Sequence, residues 1–293
     1  MNDKIVLVSG ANSGIGYIAA REIAGMGAKV ILLCRNQAKG QQAVEDILKA
    51  HPSADLDLQL CDLSSKASIR EAGMSIRAKY DHIDVLLNNA GGIFGSRKES
   101  VDGLEMTFGL DHMGYFLLTH YLLDLVAASD MKRIVNVASG AHKFLKEIHW
   151  DDLQSEKKYS EIDVYAQAKT FNILFTRELA ERVLDLDITV NSLHPGMVKT
   201  NFGAESSGFM KFMMIFFNLM AISPEKGAET SIYLATSNDP EVTQSTGKYF
   251  DKKKAVEPSS LATDPQSQKR LWAISEELGG IKNYGKVEES ASA

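Results

Sequence analysis

Two rhythms of apolar residues alternate along the chain. Short runs at residues 5–8, 30–33, 56–60, 85–87, 134–137, 188–193 and 249–250 are rich in β-branched side chains. Most are apolar on successive positions, as expected of strands covered on both faces. Between them, residues 15–24, 37–48, 64–79, 104–126, 164–183 and 225–235 carry apolar side chains at helical spacing. Repeated strand–helix alternation predicts an α/β fold, a doubly wound parallel sheet with helices on both sides. No repeat, long linker or charge block divides the sequence, so one domain over residues 1–283 is expected. The small, polar residues 284–293 are expected to form a disordered tail.

One stretch breaks the rhythm. Residues 209–222 are nearly all apolar, interrupted only by Lys211 and Asn218, and hold four of the chain's 11 methionines. Fourteen residues are too few for a membrane span, which takes about twenty. Flexible thioethers suit a pocket that adapts to greasy ligands, so a lid over the substrate is expected across 205–222. Shallow contact with a membrane or lipid surface, or with a second subunit, is compatible with the same composition.

Composition narrows the function further. A net charge of −6 over 293 residues offers no basic surface of the kind nucleic acid requires. The start, Met1-Asn2-Asp3-Lys4, lacks the pattern of a secretory signal. Cys34 and Cys61 each close an apolar run and read as buried thiols, which suits a reducing cytoplasm. A cytoplasmic protein, with peripheral membrane contact as an option, is expected, and no metal is assigned.

The first strand runs directly into Ser9-Gly10-Ala11-Asn12-Ser13-Gly14-Ile15-Gly16, and a helix follows. Glycines there let the backbone turn tightly and approach a pyrophosphate, whose charge is favoured by free N–H groups at a helix start. Glycine spacing alone is a weak signal; its position at the first strand–helix junction makes it a nucleotide site. The second strand ends in Leu33-Cys34-Arg35-Asn36, without the carboxylate that would bind a free ribose 2′-hydroxyl. Arg35 instead offers a fork of donors suited to a 2′-phosphate, favouring NADP(H) over NAD(H), though a solvated surface arginine has the same appearance. Asp62-Leu63 after the third strand can meet the adenine edge, and Asp62 can equally cap the helix beginning near Ser64.

Tyr165 and Lys169 stand four residues apart on one helix face. A carbonyl receiving hydride needs a proton on its oxygen, and a free phenol with a pKa of about 10 gives one poorly at neutral pH. A neighbouring ammonium favours the phenolate and is expected to lower that pKa. Ser139, ending the fifth strand, can donate to the same oxygen or can cap a turn.

Together these residues resemble a short-chain dehydrogenase/reductase along almost the whole chain. The resemblance rests on the glycine turn, Asn88-Asn89-Ala90-Gly91, Ser139, the Tyr165/Lys169 pair and His194-Pro195-Gly196. Gly114-Tyr115-Phe116-Leu117-Leu118-Thr119-His120, Ala138-Ser139-Gly140-Ala141-His142, and Leu193 through Met197-Val198-Lys199-Thr200 are similar to the retinol dehydrogenase-like branch. Gly247-Lys248-Tyr249-Phe250 and Leu271-Trp272-Ala273-Ile274 extend that similarity. The resemblance implies a seven-stranded sheet with Gly10, Asn12, Ser13, Gly14, Ile15, Gly16, Arg35, Asn36, Asp62, Leu63, Asn89, Ala90 and Gly91 around the cofactor. It also implies that Tyr165, Lys169, Pro195, Gly196, Val198 and Thr200 face its nicotinamide half. Homo-oligomers are common in the family. One departure is Asp111, where the family usually carries asparagine behind the lysine; a carboxylate there would weaken the pull of Lys169 on Tyr165.

The expected activity is NADP(H)-dependent interconversion of a lipophilic alcohol, retinoid-like or another, and its aldehyde or ketone. Ser139, Tyr165 and Lys169 are the expected catalytic residues, with Asp111 beside them. The alternative is an NADP(H)-binding regulatory or scaffold protein with little turnover, which only Asp111 favours.

Overall fold

The computed structural model describes residues 1–196 and 222–287. Its sheet joins β1 (Ile5–Ser9), β2 (Lys29–Cys34), β3 (Asp55–Leu60), β4 (Val85–Asn88), β5 (Arg133–Val137), β6 (Thr189–His194), β7 (Tyr249–Asp251) and β8 (Lys254–Val256). The spatial order is β3-β2-β1-β4-β5-β6-β7-β8. The first seven strands run parallel, as expected, while β8 folds back antiparallel on β7 and makes the sheet eight-stranded. Its residues are all exposed, so β8 has no apolar pattern to announce it.

Successive apolar residues in the strands serve opposite faces. Leu7, Ile31, Leu86 and Ile134 enter one core, and Val6, Val8, Val30, Leu32, Val85 and Leu87 enter the other. Helices α1 (Gly14–Gly25), α2 (Gln37–Ala50) and α6 (Pro224–Thr236) contribute to the second core. Helices α3 (Lys66–Lys79), α4 (Gly114–Ala127), α5 (Glu161–Arg182) and α7 (Pro265–Gly279) contribute to the first. Burying an apolar side chain of this size contributes about 1.5–3 kcal/mol, so both faces of the sheet are paid in the same coin.

Two expectations about segments need correction. Residues 104–126 are not one regular helix: residues 108–113 form a π-turn in which the Gly114 N–H donates to Gly109 O, five residues back, before α4 begins. The folded body also extends past residue 283. Tyr284 packs on Phe116 and Trp272 and donates its hydroxyl to Phe116 O at 2.7 Å, and the Gly285 N–H donates to His120 Nδ1 at 2.9 Å. An aromatic ring buried with its hydroxyl satisfied is worth more than the chain entropy of a free end.

Candidate active site

The sheet order reverses direction between β1 and β4, and the expected site residues follow the carboxyl ends of β1, β2, β4, β5 and β6. That is where open α/β sheets bind ligands.

At the β1–α1 junction, Gly10 and Gly14 take φ of +67° and +56°, which side chains beyond glycine adopt only with strain. A Cβ on Gly16 would lie 2.3 Å from Asn89 Nδ2 and 2.5 Å from Gly10 O. Asn89 holds this turn in place, its Nδ2 donating to Ser9 O at 2.8 Å. The Ser9 hydroxyl accepts from the N–H groups of Asn89 and Ala90. Helices α2, α3, α5, α6 and α7 each begin on a side chain that accepts a backbone N–H: Asn36, Ser65, Ser160, Ser223 and Asp264. At α1 the Ser13 side chain makes no such bond, and the first turn carries no acidic residue. A cap is worth about 1 kcal/mol, so leaving α1 without its side-chain cap keeps N–H groups and dipole for an anion; α4, also without one, continues directly from the turn at 108–113.

Arg35 stands at the end of β2 with its side chain 72% exposed and Nη1 3.9 Å from Asp62 Oδ2. Asn36, expected at the cofactor, uses its side chain to cap α2, accepting from Lys39 N at 2.9 Å. Asp62 accepts from the N–H and hydroxyl of Ser64, closing a turn ahead of α3; Ser65, not Asp62, caps that helix. Leu63 is buried, its carbonyl against Gly114. The cradle fits a dinucleotide: it is open where a pyrophosphate would sit and closed to any side chain at Gly16.

At the other half of the site, the Tyr165 hydroxyl is hydrogen-bonded to the Ser139 side chain, and Lys169 Nζ lies 5.5 Å from the Tyr165 ring centre. The Ser139 hydroxyl accepts from the Ala141 N–H at 3.1 Å, at the head of a 3₁₀ turn over Gly140–Phe144. Lys169 and Asp111 are directly paired, Nζ to Oδ2 at 2.9 Å, with side chains 4% and 0% exposed. The other carboxylate oxygen accepts from the Gly92 N–H at 2.8 Å. Gly91 makes room for the pair, since a Cβ there would stand 2.9 Å from Asp111 Oδ2 and 3.1 Å from Lys169 Nζ. The π-turn carries Asp111 into this position, and such turns recur at functional sites.

The electrostatics differ from the expectation for Tyr165. Burial pushes its phenol above the ordinary value, Lys169 pulls it down and Asp111 pushes it up again, leaving it raised. Burial acts against the Lys169 ammonium, but Asp111 and the two neighbouring phenols hold it above its ordinary value. Burial raises the Asp111 carboxyl, against the pull of Lys169 and Gly92. The phenol therefore keeps its proton at neutral pH.

Pro195 and Gly196 follow β6, with Gly196 at φ +89°. Val198, Thr200 and all but the last residue of the expected lid at 205–222 lie outside the described residues. Cys34 and Cys61 are free and buried, and burial pushes the Cys61 thiol up to about 12. No helix among the described residues is long and apolar enough to cross a membrane. Three groups around the site carried no role in the sequence: His142 and His194 beside Ser139, and Asn172, which donates to Val137 O at 3.2 Å. Only the histidines left a trace, as members of the matching stretches.

The short chain dehydrogenase family model matches residues 4–210. Human retinol dehydrogenase 14 is 39% identical over 96% of this chain and 88% of its own length. Human retinol dehydrogenase 13 is 39% identical over 95% and 85%. Among solved structures, an uncharacterised protein from Mycobacterium paratuberculosis superposes with a TM-score of 0.76 at 29% identity, covering 95% of this chain and 94% of its own. The fold, the glycine cradle and these likenesses converge: this chain belongs to the short-chain dehydrogenases, in their retinol dehydrogenase-like branch.

Proposed function

We propose that this oxidoreductase uses NADP(H) to interconvert a lipophilic alcohol and its aldehyde or ketone, with Tyr165 as general acid and base. The observation that carries the reading is the grouping of Tyr165 with Ser139 at its hydroxyl and the buried Lys169 Nζ 5.5 Å from its ring centre. When bound, the nicotinamide supplies or takes up the hydride. Gly10, Gly14, Gly16 and the uncapped start of α1 would hold its pyrophosphate, and Arg35 its 2′-phosphate. Asn89 and Ala90 support the turn, Gly91 leaves room for the Lys169–Asp111 pair, and Lys169 would reach the nicotinamide ribose.

In reduction, the hydroxyls of Ser139 and Tyr165 donate to the carbonyl oxygen. Tyr165 gives up its proton as negative charge gathers there, and Lys169 steadies the phenolate left behind. In oxidation the same phenolate takes the alcohol proton. A proton carrier of this kind is worth roughly 10²–10⁴-fold in rate. The retinol dehydrogenase names of the relatives and the apolar run at 209–222 support a greasy substrate.

The test is NADPH oxidation against a panel of apolar aldehydes, with Tyr165→Phe as control. Turnover in the parent and its loss in the variant are expected; equal rates would sink the assignment. Liposome flotation with and without residues 209–222 tests whether substrate is met at a lipid surface, and unchanged binding removes that idea.

A further inference from the structure

Two buried or half-buried histidines hold one peptide group from opposite sides. The Ser139–Gly140 peptide offers its carbonyl to His142 Nδ1 at 2.7 Å and its N–H to His194 Nδ1 at 2.9 Å. A carbonyl oxygen only accepts, so His142 Nδ1 carries a proton; an N–H only donates, so His194 Nδ1 is bare. The two rings are therefore opposite tautomers, fixed by their partners. The His194 ring lies flat on Gly140, where a Cβ would come within 3.1 Å of Nε2 and 3.3 Å of Cε1. His142 is fully buried, stacked edge-on against Tyr249 at 5.0 Å, and its Nε2 is buried without a hydrogen-bond partner. A second proton there would be an unpaired buried charge.

We propose that His142 and His194 are positioning residues that clamp the Ser139–Gly140 peptide, and through it set where the Ser139 hydroxyl stands. The inference rests on the reading of Ser139 as a donor to the substrate oxygen. Ser139 leaves β5 and is tied only within the short 3₁₀ turn that it heads, its hydroxyl accepting from the Ala141 N–H and its carbonyl from the His142 N–H. Its hydroxyl must nevertheless meet the Tyr165 hydroxyl. The clamp adds a constraint from outside the turn, and its His194 side works only while that ring is neutral; His142 keeps its Nδ1 proton in either state. Protonated His194 would turn a donor toward the Gly140 N–H, and the peptide would be released.

The charges around the rings set when that happens. From the 3₁₀ turn, Lys143 opposes a proton on either ring, and His142 opposes one on His194. From β7, Asp251, the register partner of His194, favours one, and Lys252 in the following turn opposes it. Tyr249 faces His142, with Tyr165 beyond it on α5. Burial outweighs the rest and lowers both histidines below their ordinary value, so the clamp is closed at neutral pH and opens on acidification.

The experiment compares His194→Leu, which removes the acceptor, with His194→Asn, whose Oδ1 can accept but does not titrate. For the leucine variant, kcat near neutral pH is expected to fall about 10- to 100-fold, the scale of a reacting group misplaced by about 1 Å. KM for NADPH should stay within about threefold, as for a change that spares the cradle. The asparagine variant should recover most of kcat and lose the acid limb that His194 imposes. Parent-like turnover in the leucine variant overturns the clamp, as does an asparagine variant no better than leucine or one with an unchanged acid limb. Nitrogen NMR of the unsubstituted protein gives a readout independent of turnover and of variant folding. It should show a protonated Nδ1 on His142 and a bare Nδ1 on His194; any other pairing overturns the proposal. Ser139→Ala separates the two layers. Loss of turnover there with parent-like His194→Leu defeats the clamp alone, whereas unchanged turnover in Ser139→Ala defeats the underlying reading of Ser139.

Discussion

The two halves of the site are built from different materials. The nucleotide half is backbone: glycines at positive φ, an uncapped helix start, and Asn89 tying one strand end to the next. The reacting half is side chain, and its charges are buried: Lys169 and Asp111 are paired away from solvent, with Tyr165 half-buried beside them. A backbone site needs only space and direction, so it tolerates change around it but not a Cβ within it. A buried ionic site depends on a polar group at each place, because truncating one partner leaves the other uncompensated.

That contrast can be broken at both ends. The largest effect is expected from Tyr165→Phe, which should lower kcat by about 10²–10⁴-fold while NADPH affinity, read by fluorescence titration, stays close to the parent. A parallel loss of affinity would mean the halves are not separable. Next is Gly16→Ala, whose added carbon meets Asn89 and the Gly10 carbonyl. Overpacking of this kind costs about 1–3 kcal/mol, expected here mainly as weaker NADPH binding, about 10- to 100-fold in Kd. Unchanged binding would show that the turn relaxes without consequence.

Arg35→Ala should weaken NADPH by about tenfold and leave NADH unaffected, the modest size reflecting an exposed guanidinium. Equal losses for both cofactors would remove the 2′-phosphate role. The smallest effect on rate is expected from Asp111→Asn. Turnover near neutral pH should stay within about tenfold, since Lys169 keeps a polar partner. Removing the carboxylate takes away one of the two influences that raise Tyr165 and leaves the pull of Lys169, so the Tyr165-dependent limb of the pH–rate profile should move to lower pH. A gain of several orders of magnitude would mean the natural pair impairs the enzyme.

The two halves also differed in how well they could be read from sequence. Gly10, Gly14 and Gly16 are legible because only glycine permits their geometry, and the strands because burial on both faces demands continuous apolar runs. The π-turn at 108–113 is not legible: its extra backbone residue leaves the apolar pattern of 104–126 intact. The closeness of Asp111 to Lys169 comes from the resemblance and not from any spacing; their direct contact depends on that turn and on the space at Gly91. The pull of Lys169 on Tyr165 has the expected direction, but burial outweighs it, and burial does not show in a spacing. Asp62 and Asn36 illustrate a third case, where a residue suited to a ligand is used by the nearest helix or turn.

Acid sensitivity follows from the same burial. His112 is enclosed by Phe108, Phe116, Phe171 and Phe175, and desolvation lowers it from 6.5 to about 3. Below its ordinary value the unfolded chain takes up a proton that the folded one refuses, so stability falls with pH from about 6.5 toward 3.

The bond from Tyr284 to Phe116 spans 168 positions of sequence. During synthesis, α4 and α5 leave the ribosome long before Trp272 and Tyr284 arrive to cover Phe116 and Phe175. In that interval a greasy aromatic surface is open to other chains, the kind of exposure that holding chaperones shield. The nascent chain thus waits with α5 half covered until its last helix and the turn beyond it arrive.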